Sequence, residues 1–401
     1  MKNCVNPRFQ RGFTLVEVLV GMAVALIGMV MMFQSMQVWD ARKRTTASGS
    51  DAQVAGSIAM FSLERDLKMA GYGFGNATAM GCTLSTFDVE RGGPISAGLI
   101  RMVPVLIDNG PAGAPDTLTV LYGSGSTMSA SQAFDNLMPP PVVVDSDAKR
   151  ANSRTGLRPG EIIIATDSGN LQCGLFEITG NANADGLTVD HLMGAYTNYT
   201  DNQNVTAQTS LGAADLARLQ TQFLNNSGAA RYNDGTAQNV GSTGAIFNLG
   251  TFPQLNVWQI TNRRFLTVNN TLANQVAPTE VAEGIIDLQA EYGVDLDADG
   301  VVSAAEWTTV TPATAADWRQ LRAVRVALLA RSQQYETTVV TPTTDNPTWA
   351  GGAFTMRNVD DTPDTNPMDG TGKPTPNNWR SYRYRVYETV VPLRNLAWGM
   401  S

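Results

Sequence analysis

Apolar residues fill nearly every position from Phe13 to Phe33, with Thr14 and Glu17 the polar interruptions. The run is 21 residues long, about 31 Å as a helix, which is enough for one membrane crossing. From Met36 to Ala70 the pattern becomes mixed. Val54, Ile58, Phe61, Leu63 and Leu67 recur near three and four apart, with Glu64, Arg65 and Lys68 between them. No proline interrupts residues 13–70. The Thr45–Ser50 stretch is the weak point, where the helix is expected to bend or loosen, and the glycines of 71–75 stop it. The pattern predicts one long helix over 13–70, its front half (13–33) in lipid and its rear half amphipathic and packed on a domain.

After Gly75 short strands alternate with turns. The candidates are Leu99–Leu106, Thr117–Tyr122, Glu161–Thr166, Gly174–Thr179, Leu255–Thr261, Arg264–Val268, Ile285–Tyr292, Arg322–Arg331 and Tyr382–Pro392. Several alternate as half-buried antiparallel strands do. Two polar tracts, Tyr196–Gly244 and Thr341–Asn378, separate them; loops of such length serve binding or stay mobile. Ala213–Leu224 is a candidate short helix. The fold class is therefore α+β: a long N-terminal helix on an antiparallel β-sheet domain with long polar loops. Residues 71–401 are taken as one elaborated β-rich unit.

Ahead of the apolar run, residues 1–12 carry Lys2, Arg8 and Arg11 and no acid. A secretory signal has its small-residue cleavage site after the apolar core, whereas the small-residue junction here, Gly12-Phe13, precedes it. A cut there leaves the apolar segment on the mature chain as its own N-terminus. Glu17 is costly in lipid without a partner, and the new amine of another copy is the expected one. The basic leader marks the cytoplasmic side, so the chain beyond Phe33 is expected outside the cytoplasm. Losing the leader takes the formal charge from −8 to −11, a poor balance for nucleic-acid binding, which needs phosphate neutralisation. Cys4 leaves with the leader. Cys82 and Cys173 remain as a candidate disulfide for an oxidising compartment, with two free buried thiols as the alternative.

Asp295-Leu-Asp297-Ala-Asp299-Gly300-Val301-Val-Ser303-Ala-Ala-Glu306 matches the twelve-residue calcium loop at its diagnostic positions. Three aspartates at alternate positions converge as the backbone curls, and Gly300 permits the sharp turn. The Val301 carbonyl adds an oxygen, Ser303 acts directly or through water, and Glu306 closes the site. The alternative is an acidic surface turn without metal. The preceding segment reads as strand, so a structural calcium is expected rather than a sensor pair. The acidic stretch Asp360–Gly370 lacks such spacing and reads as a solvated loop. One histidine, His191, and no convergent catalytic motif argue against an enzyme. Gly123–Thr127 lacks the lysine of a phosphate loop.

Arg11-Gly12-Phe13-Thr14-Leu15-Val16-Glu17 resembles the class III signal of type IV prepilins and type II secretion pseudopilins. The resemblance implies cleavage after Gly12 by a prepilin peptidase, methylation of the Phe13 amine, and pairing of Glu17 with a neighbouring subunit's N-terminus. Leu63–Tyr72, Val281–Asp295 and Tyr387–Leu396 resemble segments of the minor pilins called PilW. That likeness implies a type IV pilin-like fold and a non-enzymatic subunit that helps initiate type IV pilus assembly at or near the tip, supporting adhesion or twitching motility. Its implied partners are other minor pilins, the major pilin and a PilY-type tip adhesin. Its implied location is the inner membrane as a single-pass protein with a periplasmic C-terminal domain, and then the pilus. A type II secretion minor pseudopilin and a prepilin-anchored extracellular adhesin stay open beside it.

Overall fold

The structure, a computed structural model, describes residues 14–75, 79–88, 93, 95, 100–125, 131–134, 149–150, 157, 160–167, 173–179, 188–189, 191, 199–200, 207–208, 230–233, 244–273, 277–362 and 372–397. The leader with Gly12 and Phe13, the candidate helix Ala213–Leu224 and nearly all of the tract Tyr196–Gly244 lie outside the described residues.

Helix α1 runs over Leu15–Met69, 55 residues or about 82 Å. Thr14 caps its start: its hydroxyl accepts from the Glu17 N–H, and the Glu17 carboxylate reaches back to the Thr14 N–H. The expected weakness over 45–50 does not break it; the backbone is helical throughout. Penalties of a few tenths of a kcal/mol per residue are too small to open a helix that continues on both sides. At the far end Gly71 takes φ +78°, and the Asn395 amide donates to the carbonyls of Met69 and Ala70 at 3.1 Å each. The exposed carbonyls of the last turn thereby find donors in the C-terminal segment.

The strands of the three larger sheets are, in chain order, β1 (Leu84–Ser85), β2 (Val105–Asp108), β3 (Thr117–Tyr122), β4 (Gln132–Phe134), β5 (Ile162–Asp167), β6 (Cys173–Glu177) and β7 (Gly244–Gly250). They continue with β8 (Gln254–Thr261), β9 (Phe265–Asn270), β10 (Thr279–Glu283), β11 (Ile285–Val294), β12 (Trp307–Thr308), β13 (Leu321–Arg331) and β14 (Tyr384–Pro392). One sheet has the order β1-β6-β5-β7-β4, antiparallel except for β1 beside β6. A second, β10-β9-β8-β3-β2, and a third, β12-β11-β13-β14, are antiparallel throughout. The fold is α+β.

The main core forms where α1 meets the second and third sheets. Ala59, Leu63 and Leu67 pack there with Val105, Leu118, Leu266, Leu288, Val324 and Leu328. A separate core lies under the first sheet, around Phe74, Met102, Phe247 and Leu249, and beside it Cys82 and Cys173 are joined by a disulfide with Cα atoms 6.1 Å apart.

Three expectations change. The helix face expected to pack was Val54, Ile58, Phe61, Leu63 and Leu67, yet Val54, Ile58 and Phe61 are exposed. The buried face is the small one, Ala52, Gly56, Ala59 and Ala70, with Met60, Leu63 and Leu67. Close approach decides this: the Tyr387 ring lies where a Cβ on residue 56 would stand, and its hydroxyl donates to the Gln53 carbonyl at 3.0 Å. The segment expected as strand over Leu99–Leu106 pairs regularly only from Val105 onward, as β2. The tract Thr341–Asn378 is not all loop. A short hairpin, Thr348–Trp349 with Gly352–Ala353, brings Trp349 and Phe354 against Ile286, Ala327 and Leu329.

Candidate functional site

Two regions carry the chemistry singled out in the sequence: helix α1 and the loop between β11 and β12. In α1, Leu15–Gln37 is long and apolar enough to cross a membrane, and all its side chains are exposed. Its 23 residues span about 35 Å, against roughly 30 Å of hydrocarbon. Glu17 lies at the first turn, held at 3.1 Å by both the Thr14 N–H and its hydroxyl. Within the described residues its partner is thus local.

The rear half of α1 is fixed by a buried acid that the sequence pattern did not reveal. Asp66, 2% exposed, accepts from the Tyr122 hydroxyl at 3.0 Å, the Asn256 amide at 2.7 Å and the Trp258 indole N–H at 3.0 Å. Three donors from the second sheet, more than fifty residues away along the chain, converge on this one helix carboxylate. Opposite that face, Val54, Ile58 and Phe61 form an exposed stripe at i, i+4 and i+7. Val54 stands about 26 Å beyond Gln37 along the axis, past the reach of the hydrocarbon that covers the front half.

The loop from Asp295 to Glu306 joins two antiparallel strands, β11 and β12, as a hairpin connection and not as helix–loop–helix. One ligand atom from each of Asp295, Asp297 and Asp299 lies within 4.8 Å of the others. The backbone curls by taking φ +61° at Ala298 and +84° at Gly300. Each aspartate also holds the loop: Asp295 Oδ2 accepts from the Gly300 N–H at 3.2 Å, Asp297 from Asp299 at 3.3 Å, Asp299 from Val301 at 2.7 Å. Glu306 takes a different position. Its two oxygens accept from the N–H groups of Leu296 at 2.8 Å and Ser303 at 2.7 Å, which ties the two ends of the loop together. Those N–H groups, Ser303's first, hold its carboxyl below the usual carboxylate range. Ser303 itself caps the short turn Ala304–Glu306.

Arg322, at the start of β13, is the neighbour that spacing could not supply; its Nε donates to Asp295 Oδ2 at 3.0 Å. The Asp295 side chain has no exposure, and its other oxygen, Oδ1, meets no donor. Buried carboxylate oxygens are normally satisfied, so this one fits a hard cation, as does an all-oxygen donor set of three carboxylates and a carbonyl.

Two comparisons with protein families bear on these regions. Residues 251–395 match the model of PilW, the type IV pilus-assembly protein W. Residues 7–33 match the prokaryotic N-terminal methylation motif. The chain resembles a PilW-family pilin with a prepilin signal. No curated protein matches it, and no solved structure does. The PilW-like part spans β8 to β14, the whole of the third sheet and the loop 295–306, and it ends at Asn395, the residue that caps α1. The methylation motif covers residues 7–12 of the leader and most of the exposed span, Glu17 included. Together with the apolar helix it supports anchoring in a membrane and association with a pilus. Both families describe structural pilus components and not enzymes.

Of the remaining candidates, residues 363–370 of the acidic stretch and 126–127 of the glycine segment lie outside the described residues. His191 is buried with its ring 5.1 Å from that of Phe176. Asp360 and Asp361 edge an open polar cleft of about 500 Å³ with Gln259, Asn262 and Arg263, where Arg263 pairs with Asp361 at 2.9 Å. Gly123 is a close-approach residue, packed on the backbone of Leu249 and Tyr72.

Proposed function

We propose that this chain is a PilW-type minor pilin that helps initiate type IV pilus assembly, stands at or near the tip, and supports adhesion or twitching through the filament. The observation that carries the reading is the exposed apolar surface of α1 in two stretches, the membrane-length segment Leu15–Gln37 and, beyond a polar stretch, the stripe Val54, Ile58 and Phe61. Lipid covers the front half before assembly. Outside the bilayer the surface suited to that stripe is the helix of a neighbouring subunit, whether another minor pilin or the major pilin. For the front half assembly is then an exchange of environment, bilayer for helical bundle, with its apolar surface covered in both states, while the Val54–Phe61 stripe is covered only in the filament.

A prepilin peptidase cutting between Gly12 and Phe13, with methylation of the new amine, would put that amine four residues from Glu17. The single-pass precursor sits in the inner membrane with its sheets in the periplasm, then passes into the pilus. Until a neighbour arrives, Thr14 satisfies the Glu17 carboxylate; the neighbour's N-terminal amine takes over in the filament. A PilY-type adhesin is the partner expected beyond the tip.

The test is Ile58→Glu with Phe61→Glu in the native host. Both side chains face solvent, so membrane insertion and melting temperature should stay as in the wild type. Incorporation into sheared pili, read by immunoblot, should fall at least tenfold, and Glu17→Ala should act alike. Wild-type piliation by the stable double variant would refute the reading. N-terminal mass analysis of extracted protein should find Phe13 first.

A further inference from the structure

We infer that the loop Asp295–Glu306 binds calcium, through Asp295, Asp297, Asp299 and the Val301 carbonyl, and that the ion locks the β11–β12 hairpin onto β13. Three carboxylates with ligand atoms inside 4.8 Å of one another repel. Arg322 donates to one of them, on Oδ2, while Asp297 and Asp299 accept from N–H groups of the loop itself. The second and independent sign is Asp295 Oδ1, on a side chain with no exposure and without a donor. A cation within the loop removes the repulsion and satisfies that oxygen together.

Donor chemistry selects the ion. All available ligands are oxygens, which exclude soft metals. A flexible loop offering several carboxylates and a carbonyl suits the larger and less regular calcium shell better than magnesium's rigid octahedron. Glu306, already bonded to Leu296 and Ser303, fixes the loop's span and closes the site as a latch. Asp295 also receives Arg322 at the head of β13, and its own N–H donates to the Gln320 carbonyl at 3.0 Å. Through Asp295 the ion would thus be tied to the head of β13, beside the backbone pairing that β11 and β13 already make.

Trp307 comes directly after Glu306 and serves as an antenna for terbium, which occupies calcium loops. The full chain in detergent, excited at tryptophan, should give saturable terbium emission that millimolar calcium displaces and equal magnesium does not. Calcium should raise the melting temperature over a chelated sample. Asp297→Asn with Asp299→Asn, both exposed positions, should weaken terbium and calcium binding at least tenfold and melt like the chelated wild type. Absence of saturable emission and of calorimetric heat in the wild type would overturn the inference, as would undiminished binding by the double variant. Equal displacement by magnesium would overturn the assignment to calcium. Should the double variant not fold, the wild-type titration alone decides.

Discussion

Between Leu15 and Gln37 every side chain of α1 is exposed, whereas between Ala52 and Ala70 the same helix buries Gly56, Ala59, Leu63, Asp66 and Leu67. The front half is apolar all round, as a helix must be if lipid or other helices surround it. The rear half turns its small residues and one acid inward and its bulky Val54, Ile58 and Phe61 outward. Burial in the rear half is therefore set by fit to the sheet and not by side-chain size: a ring on Gly56 and three donors on Asp66 outweigh the transfer energy of exposed apolar groups, about 25 cal/mol per Å². Among the described residues the front half is docked on nothing, and the rear half docks on its own sheets while keeping Val54, Ile58 and Phe61 outside.

The harshest way to break this contrast is Asp66→Ala. It strands the buried donors of Asn256 and Trp258 and the half-buried Tyr122 hydroxyl, and should cost about 3–5 kcal/mol, read as thermal unfolding of the full chain in detergent. Helicity of the front half should survive, since nothing there contacts the sheets. A loss below about 1 kcal/mol would mean that the docked half is held by apolar packing alone.

A second test separates the halves by pH. Burial pushes the Asp287 carboxyl up to about 7, opposed by the Gln289 amide and the charge of Arg263 and reinforced by Asp116. The folded state therefore keeps a proton that the unfolded chain releases near pH 4. Its contribution to stability is complete below about pH 4 and is lost as pH rises through 7. Asp287→Asn should match the wild type at pH 4 and exceed it at pH 8 by up to about 4 kcal/mol. Asp116, also raised by burial, shifts stability in the same sense. Such pH dependence belongs to the sheets, so micelle-bound front-half helicity should stay flat across the range.

Gly56→Leu is the gentlest. The added side chain meets the Tyr387 ring, and overpacking of this sort costs about 1–3 kcal/mol. The same change at Gly21 or Gly28, where nothing stands within 4 Å, should leave the isolated subunit unaffected.

Periodicity was a good guide where structure is local and a poor one where it is not. The helix, strand Thr117–Tyr122 and the cores of most other strands were legible because their patterns are continuous in the sequence. Strand Gly244–Gly250 was hidden at the margin of a polar tract, because its Asn and Gly residues pair with β5 and satisfy long-range bonds instead of advertising a pleat. The acidic loop was legible as spacing, its Asx turns being set within twelve residues. Its partner Arg322 and the anchor Asp66 were not, because what makes them matter is contributed by strands far along the chain. The buried side of α1 was legible at Leu63 and Leu67 but not at Gly56 or Ala59, for a related reason: a helical wheel ranks hydrophobicity, and the sheet selected for size.

The Cys82–Cys173 bond has a mechanical consequence. It closes the chain across 91 positions, which fully drawn out would span roughly 300 Å. A subunit gripped at its helix and loaded at its far side cannot release that length while the bond holds. Whatever force reaches the first sheet meets a closed ring of chain, so the disulfide works as a stop on extension and keeps the subunit short under load.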